Sequence, residues 1–175
     1  VAAAVGCLLL LLAAATPAAA SPPPAPKLAS LIGQAAPDFT LPTVAGLKVK
    51  LADFKGCVVV VDFWTTSCPP CIAVLQHFQH LSDDQSRRGK GLRILAINFG
   101  EPASRVAAFL KKNNFTLTVP LDAQGTVAQS YHVVDIPHTV LIGRDGTVKQ
   151  TFLGFDEQIS KEIDQAVDQA LEEKK

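Results

Sequence analysis

The chain of 175 residues contains no methionine, one tryptophan and one tyrosine. Copper or haem sites that depend on a methionine thioether are therefore excluded. No charged residue stands before Lys27, and from Lys27 onward 16 basic and 16 acidic side chains cancel. A chain with no cationic excess is not built to hold nucleic acid, which is bound by clustered cations. The one basic cluster, Arg87, Arg88, Lys90 and Arg93, reads as a solvated helix end. Four cysteines, Cys7, Cys57, Cys68 and Cys71, are too few and too unevenly spaced for a disulfide-stapled miniprotein. Disorder is excluded too, because 48% of the residues are hydrophobic and only 18% charged.

What is present begins with an apolar leader. Residues 1–20 run VAAAVGCLLLLLAAATPAAA, with a leucine block at Leu8–Leu12 and an A-x-A site at Ala18-Ala19-Ala20. This reads as a cleavable signal peptide or as an N-terminal membrane anchor. A lipoprotein box at Ala4-Val5-Gly6-Cys7 fits less well, since most of the hydrophobic block follows the cysteine. Each reading exports the protein. Residues 21–30 open with Ser21-Pro-Pro-Pro-Ala-Pro26, an extended polyproline spacer.

From residue 31 to residue 175 the pattern is one α/β domain, without repeat or second linker. Asp38–Leu41 and Lys48–Leu51 read as short strands around a turn near Gly46. Val58–Phe63 is a continuous run of mostly β-branched residues, the mark of a central strand buried on both faces. Pro69 to about Gln85 is predicted helical, with Val74, Leu75, Phe78 and Leu81 in one apolar stripe. Leu92–Phe99 is a second buried strand, and Glu101–Lys112 a helix with Pro102 in its first turn. Leu117–Leu121 is extended and Thr126–Tyr131 a small helix. Thr139–Ile142 and Thr147–Phe152 flank a hairpin turn at Arg144-Asp145-Gly146. Asp156–Glu173 is a closing amphipathic helix with Ile159, Ile163, Val167, Ala170 and Leu171 inward. The order implies a mixed sheet with helices on both faces.

The strongest chemical signal is Trp64-Thr-Thr-Ser-Cys68-Pro-Pro-Cys71, where a buried strand gives way to a helix. Proline after Cys68 drives that residue out of the helical region and into the N-cap. Pro69 and Pro70 occupy the first turn, where missing N–H groups cost least. They leave the amide and thiol of Cys71 as local partners for Cys68. A helix N-terminus favours a thiolate, and cysteine pKa values in such pairs fall to roughly 3.5–7.5. Cys68 is expected as the exposed nucleophile and Cys71 as the buried resolving thiol, cycling between dithiol and disulfide. A permanent structural disulfide is the alternative, but a strained strand–helix loop is a poor place for one. Structural zinc would need four ligands, and no second pair is present.

The segment Val61-Asp-Phe-Trp-Thr-Thr-Ser-Cys-Pro-Pro-Cys71 resembles the active-site segment of the thioredoxin superfamily. The nearer likeness is to its TlpA/ResA-like exported thiol–disulfide oxidoreductases. Gly33-x-x-Ala-Pro-Asp-Phe39, Ile136-Pro137 and Leu141-Ile-Gly-Arg-Asp-Gly146 match as well, so the likeness covers nearly all of 31–175. It implies a thioredoxin-like fold with an N-terminal β-hairpin extension. The implied activity is reduction of disulfides in exported proteins, with electrons from a membrane thiol carrier. It implies no cofactor beyond the redox-active Cys68–Cys71 pair. The implied location is the bacterial periplasm or the outer face of the cytoplasmic membrane. Ser67 departs from the pattern, since these families usually carry a second tryptophan there.

Several residues are expected to support the pair. Asp62 lies within an apolar strand, where burial should raise its pKa. In thioredoxins the matching aspartate relays a proton to the resolving cysteine, here Cys71. A strand-end carboxylate satisfied by backbone amides is the plainer reading. Base rates alone make Pro137 trans, at about 5–6% cis for such bonds, whereas the resemblance implies cis. Ile136 and His138 would then border the substrate groove with Pro69, Pro70 and Trp64, the last packed beside Cys68, for which ordinary core filling is a compatible reading. The backbone of Ile136 would pair with a bound peptide strand. His138 would tune Cys68, or simply stand exposed at a strand start. His77 and His80 read as a solvated pair, and Cys57 as a small buried hydrophobe.

Two other functions fit fewer residues. Thr65-x-x-Cys68 matches a peroxiredoxin core, but Val61 stands where that motif wants proline. A copper chaperone would use Cys68, Cys71 and His138, since soft thiolates suit Cu(I). Exported copper chaperones of this fold use a longer cysteine spacing.

Overall fold

A computed structural model describes residues 31–173. The leader at 1–20, the spacer at 21–30 and Cys7 lie outside the described residues. Within them the chain forms β1 (Thr40–Pro42), β2 (Lys48–Lys50), β3 (Val58–Trp64), α1 (Pro69–Asp83), α2 (Gln85–Gly89), β4 (Leu92–Phe99), α3 (Ala103–Lys112), β5 (Leu121–Asp122), α4 (Thr126–Ser130), β6 (His138–Ile142), β7 (Val148–Leu153) and α5 (Glu157–Glu172). A short 3-10 turn at Leu51–Phe54 follows β2. No helix among the described residues is long and apolar enough to cross a membrane.

The main sheet has the order β5-β4-β3-β6-β7. β3 runs parallel to β4 and antiparallel to β6. β1 and β2 form a separate antiparallel hairpin. This is the mixed, thioredoxin-like α/β architecture expected from the order of elements. β3 is central because every residue from Val58 to Trp64 is buried. Full burial of such side chains contributes about 1.5–3 kcal/mol each.

Alternation along β3 divides the core in two. Val58, Val60 and Trp64 face one side, with Cys71, Val74, Leu75 and Phe78 of α1 and Ile163 and Val167 of α5. Val59, Val61 and Phe63 face the other, with Phe39, Leu41 and Tyr131. Chain segment 31–36 covers the outer edge of β7, where the Gly33 N–H donates to the Val148 carbonyl at 2.8 Å. The hairpin between β6 and β7 turns on Gly146, whose φ of +79° suits glycine.

Two boundaries differ from the sequence reading. The helix from Pro69 breaks at Asp84, whose carboxylate accepts from the Ser86 and Arg87 N–H groups and starts α2. An aspartate cap competes with helix continuation because it satisfies orphan amides directly. Pro102 is the N-cap of α3 (ψ 142°), so Glu101 precedes the helix. That release lets Glu101 reach across to the active-site loop.

Candidate active site

β3 ends at Trp64 and α1 starts at Pro69, so four residues turn the chain from strand to helix. Cys68 is the N-cap at φ −101° and ψ 104°, with proline in the first turn after it. The Cys71 N–H donates to Cys68 Sγ at 3.3 Å. The two sulfurs are bonded as a disulfide. Cys68 is only 9% exposed and Cys71 is fully buried. The expected order of access holds, but Cys68 is far less open than its N-cap position suggested. Pro69 and Pro70 stand exposed beside it.

The start of β6 faces the pair from across the sheet. The Ile136–Pro137 peptide bond is cis, as the family likeness implied. The Ile136 carbonyl oxygen lies 4.0 Å from Cys68 Sγ, close enough to accept from a Cys68 thiol once the disulfide is reduced. Pro137 is held in turn, its carbonyl accepting the Gly154 N–H at 2.9 Å. Ile136 is half-buried against both halves of the core.

Trp64 and His138 do not border a groove. Trp64 is fully buried, its Nε1–H donating to the Ala96 carbonyl at 3.1 Å and its ring tilted on Phe109. It shares a core cluster with Cys68 and Cys71, behind the surface that a substrate meets. His138 is 1% exposed, because β6 is an interior strand covered on both faces. Its ring packs edge-on against Phe63, and neither ring nitrogen has a partner. Burial lowers its pKa to about 4. Among the described residues no three metal-ligating side chains gather. The copper ligand set of Cys68, Cys71 and His138 is therefore not assembled.

Asp62 lies on the β3 face that carries Val60 and Trp64, the face against which Cys71 packs. It is completely buried. Oδ1 accepts the Thr139 hydroxyl at 2.8 Å, and Oδ2 has no partner. Burial pushes the carboxyl well above the usual carboxylate range, and the Thr139 hydrogen bond offsets only part of that. A carboxyl of this kind can exchange a proton with a neighbouring thiol near neutral pH, taking it as base or returning it as acid.

Sequence reasoning missed Glu101. Its carboxylate accepts the Thr66 N–H at 2.7 Å, the Thr66 hydroxyl at 2.6 Å and the Asn98 side-chain N–H at 2.7 Å. Arg105 stands 3.6 Å away. Burial raises the Glu101 carboxyl, but the donors from Asn98 and Thr66 outweigh it and hold the group below its usual range. The clamp ties the loop that carries Cys68 to the end of β4. The available signal was position: Asn98 pairs with Trp64, and sites gather beyond the carboxyl ends of parallel strands.

The remaining expectations sort by contact. His77 is not simply solvated: Nε2 lies 3.1 Å from Asp164 on α5, while His80 is exposed. Cys57 is half-buried in the turn before β3. The Thr65 hydroxyl lies 3.3 Å from Ser67 Oγ, so the peroxiredoxin-like threonine is engaged with serine.

The chain is similar in sequence and in fold to known proteins. The model of the AhpC/TSA family matches residues 32–151. The thiol-disulfide oxidoreductase ResA of Geobacillus kaustophilus is 35% identical over 128 residues, 73% of this chain and 72% of its own. ResA of Bacillus subtilis is 32% identical over 123 residues, 70% and 67% of the two chains. Among solved structures, one assigned as the thiol:disulfide interchange protein DsbE of Chlorobium tepidum superposes with a TM-score of 0.75. It is 31% identical and covers 80% of this chain and 97% of its own. StoA of Bacillus subtilis superposes at 0.61 with 27% identity, covering 72% and 96%.

Proposed function

The chain belongs to the AhpC/TSA family, as a thioredoxin-like thiol–disulfide oxidoreductase, and from that we propose that it reduces disulfides in exported proteins. The observation that carries this reading is the Cys68–Cys71 bond at the N-terminus of α1, with Cys68 9% exposed and Cys71 sealed. In the reduced protein the Cys68 thiolate attacks a substrate disulfide, forming a mixed disulfide and releasing one substrate thiolate. Cys71, deprotonated by Asp62, then attacks Cys68 Sγ. The Cys68–Cys71 bond re-forms as the bond from Cys68 to the substrate breaks, and the second substrate sulfur leaves as a thiolate that solvent protonates. Two electrons pass to the substrate, and the pair itself stores them without a cofactor. A thiol carrier at the membrane returns the protein to the dithiol.

Ile136, Pro69 and Pro70 form the rim that receives the substrate, with Pro137 buried directly after Ile136. The apolar leader at 1–20 supports work in the periplasm or on the outer face of the cytoplasmic membrane, tethered if the leader is retained. A Cys71→Ser variant tests the sequence of steps, because it stops at the mixed disulfide. It should retain a protein substrate through Cys68 in a bond that dithiothreitol releases, whereas Cys68→Ser retains none. Equal trapping by both variants, or by neither, would overturn the assignment of Cys68 as nucleophile.

A further inference from the structure

The backbone N–H of Ile136 is not free. It donates to Oδ1 of the preceding Asp135 at 2.9 Å. The carbonyl of the same residue has only Cys68 Sγ near it, at 4.0 Å, so a peptide strand laid along Ile136 finds a weakly engaged acceptor and an occupied donor. Such a strand must displace the Asp135 carboxylate to complete its pairing. Displacing an ion from a hydrogen bond is unfavourable unless the incoming group supplies a replacement.

Charge around the site indicates what that replacement is. The segments 64–72, 132–138 and 152–158 meet at the Ile136–Pro137 bond. They carry Asp135, Asp156 and Glu157, neither lysine nor arginine, and two histidines, His132 at the surface and His138 buried. Lys161 answers Glu157 at 2.7 Å, and Arg105 is engaged with Glu101. Asp156 spends one oxygen capping α5. Asp135 is exposed, and no lysine or arginine among the described residues forms an ion pair with it. Val134, 60% exposed, and Leu153, 41% exposed, add apolar surface on either side.

We propose that Asp135 is a specificity-determining residue that selects substrates carrying a lysine or arginine beside the target cysteine. The inference rests on the oxidoreductase reading above. As the substrate docks, its cation draws the carboxylate away from the Ile136 N–H, which then donates to a carbonyl of the substrate strand. A neutral substrate has to open the same contact without that help, and an acidic one is repelled.

The test uses the reduced full-length chain and three peptides, each closed by one internal disulfide. They differ only in a Lys, Gln or Glu beside one cysteine. Reduction of the peptide to its dithiol is matched by formation of the Cys68–Cys71 disulfide, two electrons in each case. The wild type should reduce the Lys peptide about tenfold faster than the Glu peptide, a contrast that shrinks at high salt. Asp135→Asn keeps an acceptor oxygen but loses the charge, and should bring the Lys-to-Glu ratio close to one. Asp135→Ala frees the Ile136 N–H and should raise the rate on the Gln peptide several-fold. Equal rates of the wild type on all three peptides would overturn the inference while leaving the oxidoreductase reading intact. So would an Asp135→Asn variant that keeps the full contrast. Failure of the wild type to reduce any of them would overturn both.

Discussion

The Thr139 hydroxyl donates to one oxygen of Asp62 at 2.8 Å, while the other oxygen, sealed from solvent, has no partner. The pair joins β3 to β6, where the two residues stand opposite each other. An unpaired buried oxygen on an ionisable group opposes folding most when the group is charged. Because the folded pKa of Asp62 is raised, its neutral form favours the native state at low pH. That contribution is fully present below the ordinary carboxylate range and is lost as pH rises through the folded pKa.

Asp62→Asn should therefore be more stable than the wild type at neutral pH by about 1–3 kcal/mol, with little difference at pH 3. The same variant should slow release of the mixed disulfide by about 100-fold, the lower end of general acid–base effects. Denaturant melts at both pH values and single-turnover kinetics check the two halves. A variant that is stabilised but fully active would make Asp62 structural only.

Removing Glu101 leaves the Asn98 side chain and the Thr66 amide without their acceptor. Glu101→Ala should lose about 2 kcal/mol, a fall of roughly 4–8 °C in melting temperature for a domain of this size. Loosening the loop should also change the pH profile of Cys68 alkylation, which a merely stabilising contact would not. Glu101→Gln keeps one acceptor oxygen and should recover part of both effects.

His138 opposes acid stability. Its folded pKa of about 4 lies below the ordinary value, so its neutral form supports the fold above pH 6.5. That support is lost as pH falls from about 6.5 through 4, where protonation inside the core is resisted. His138→Leu fills the site without unpaired nitrogens. It should be at least as stable as the wild type at pH 7 and gain on the order of 2 kcal/mol relative to it at pH 4. Denaturant midpoints across that range decide it, and an unchanged pH slope would contradict the account.

The elements that were legible in the sequence owe their shape to local rules. Leu92–Phe99 has the same bounds in the sequence pattern and in the structure, because a strand buried on both faces announces itself as an apolar run. Cys68 and its two prolines fixed the N-cap without any tertiary information. Glu101 was hidden because its partner Thr66 lies 35 residues away, brought near only by the β3–β4 register. His138 misled for a related reason: a strand start is usually exposed, but β7 and β3 enclose this one. The break at Asp84 was readable in principle, since an aspartate two residues before Ser86 and three before Arg87 is a capping pattern.

The central claim is that Cys68 and Cys71 form a working redox couple, and Trp64 can report on it. As the only tryptophan in the chain, it shares a core cluster with both sulfurs. Its fluorescence should be followed while the protein equilibrates with defined thiol–disulfide buffers. The account predicts one reversible two-electron transition at a reducing potential, near the roughly −270 mV of thioredoxin. The absence of any reversible transition would contradict the redox reading outright. A single transition near the roughly −120 mV of DsbA would keep the couple but reverse the direction of transfer.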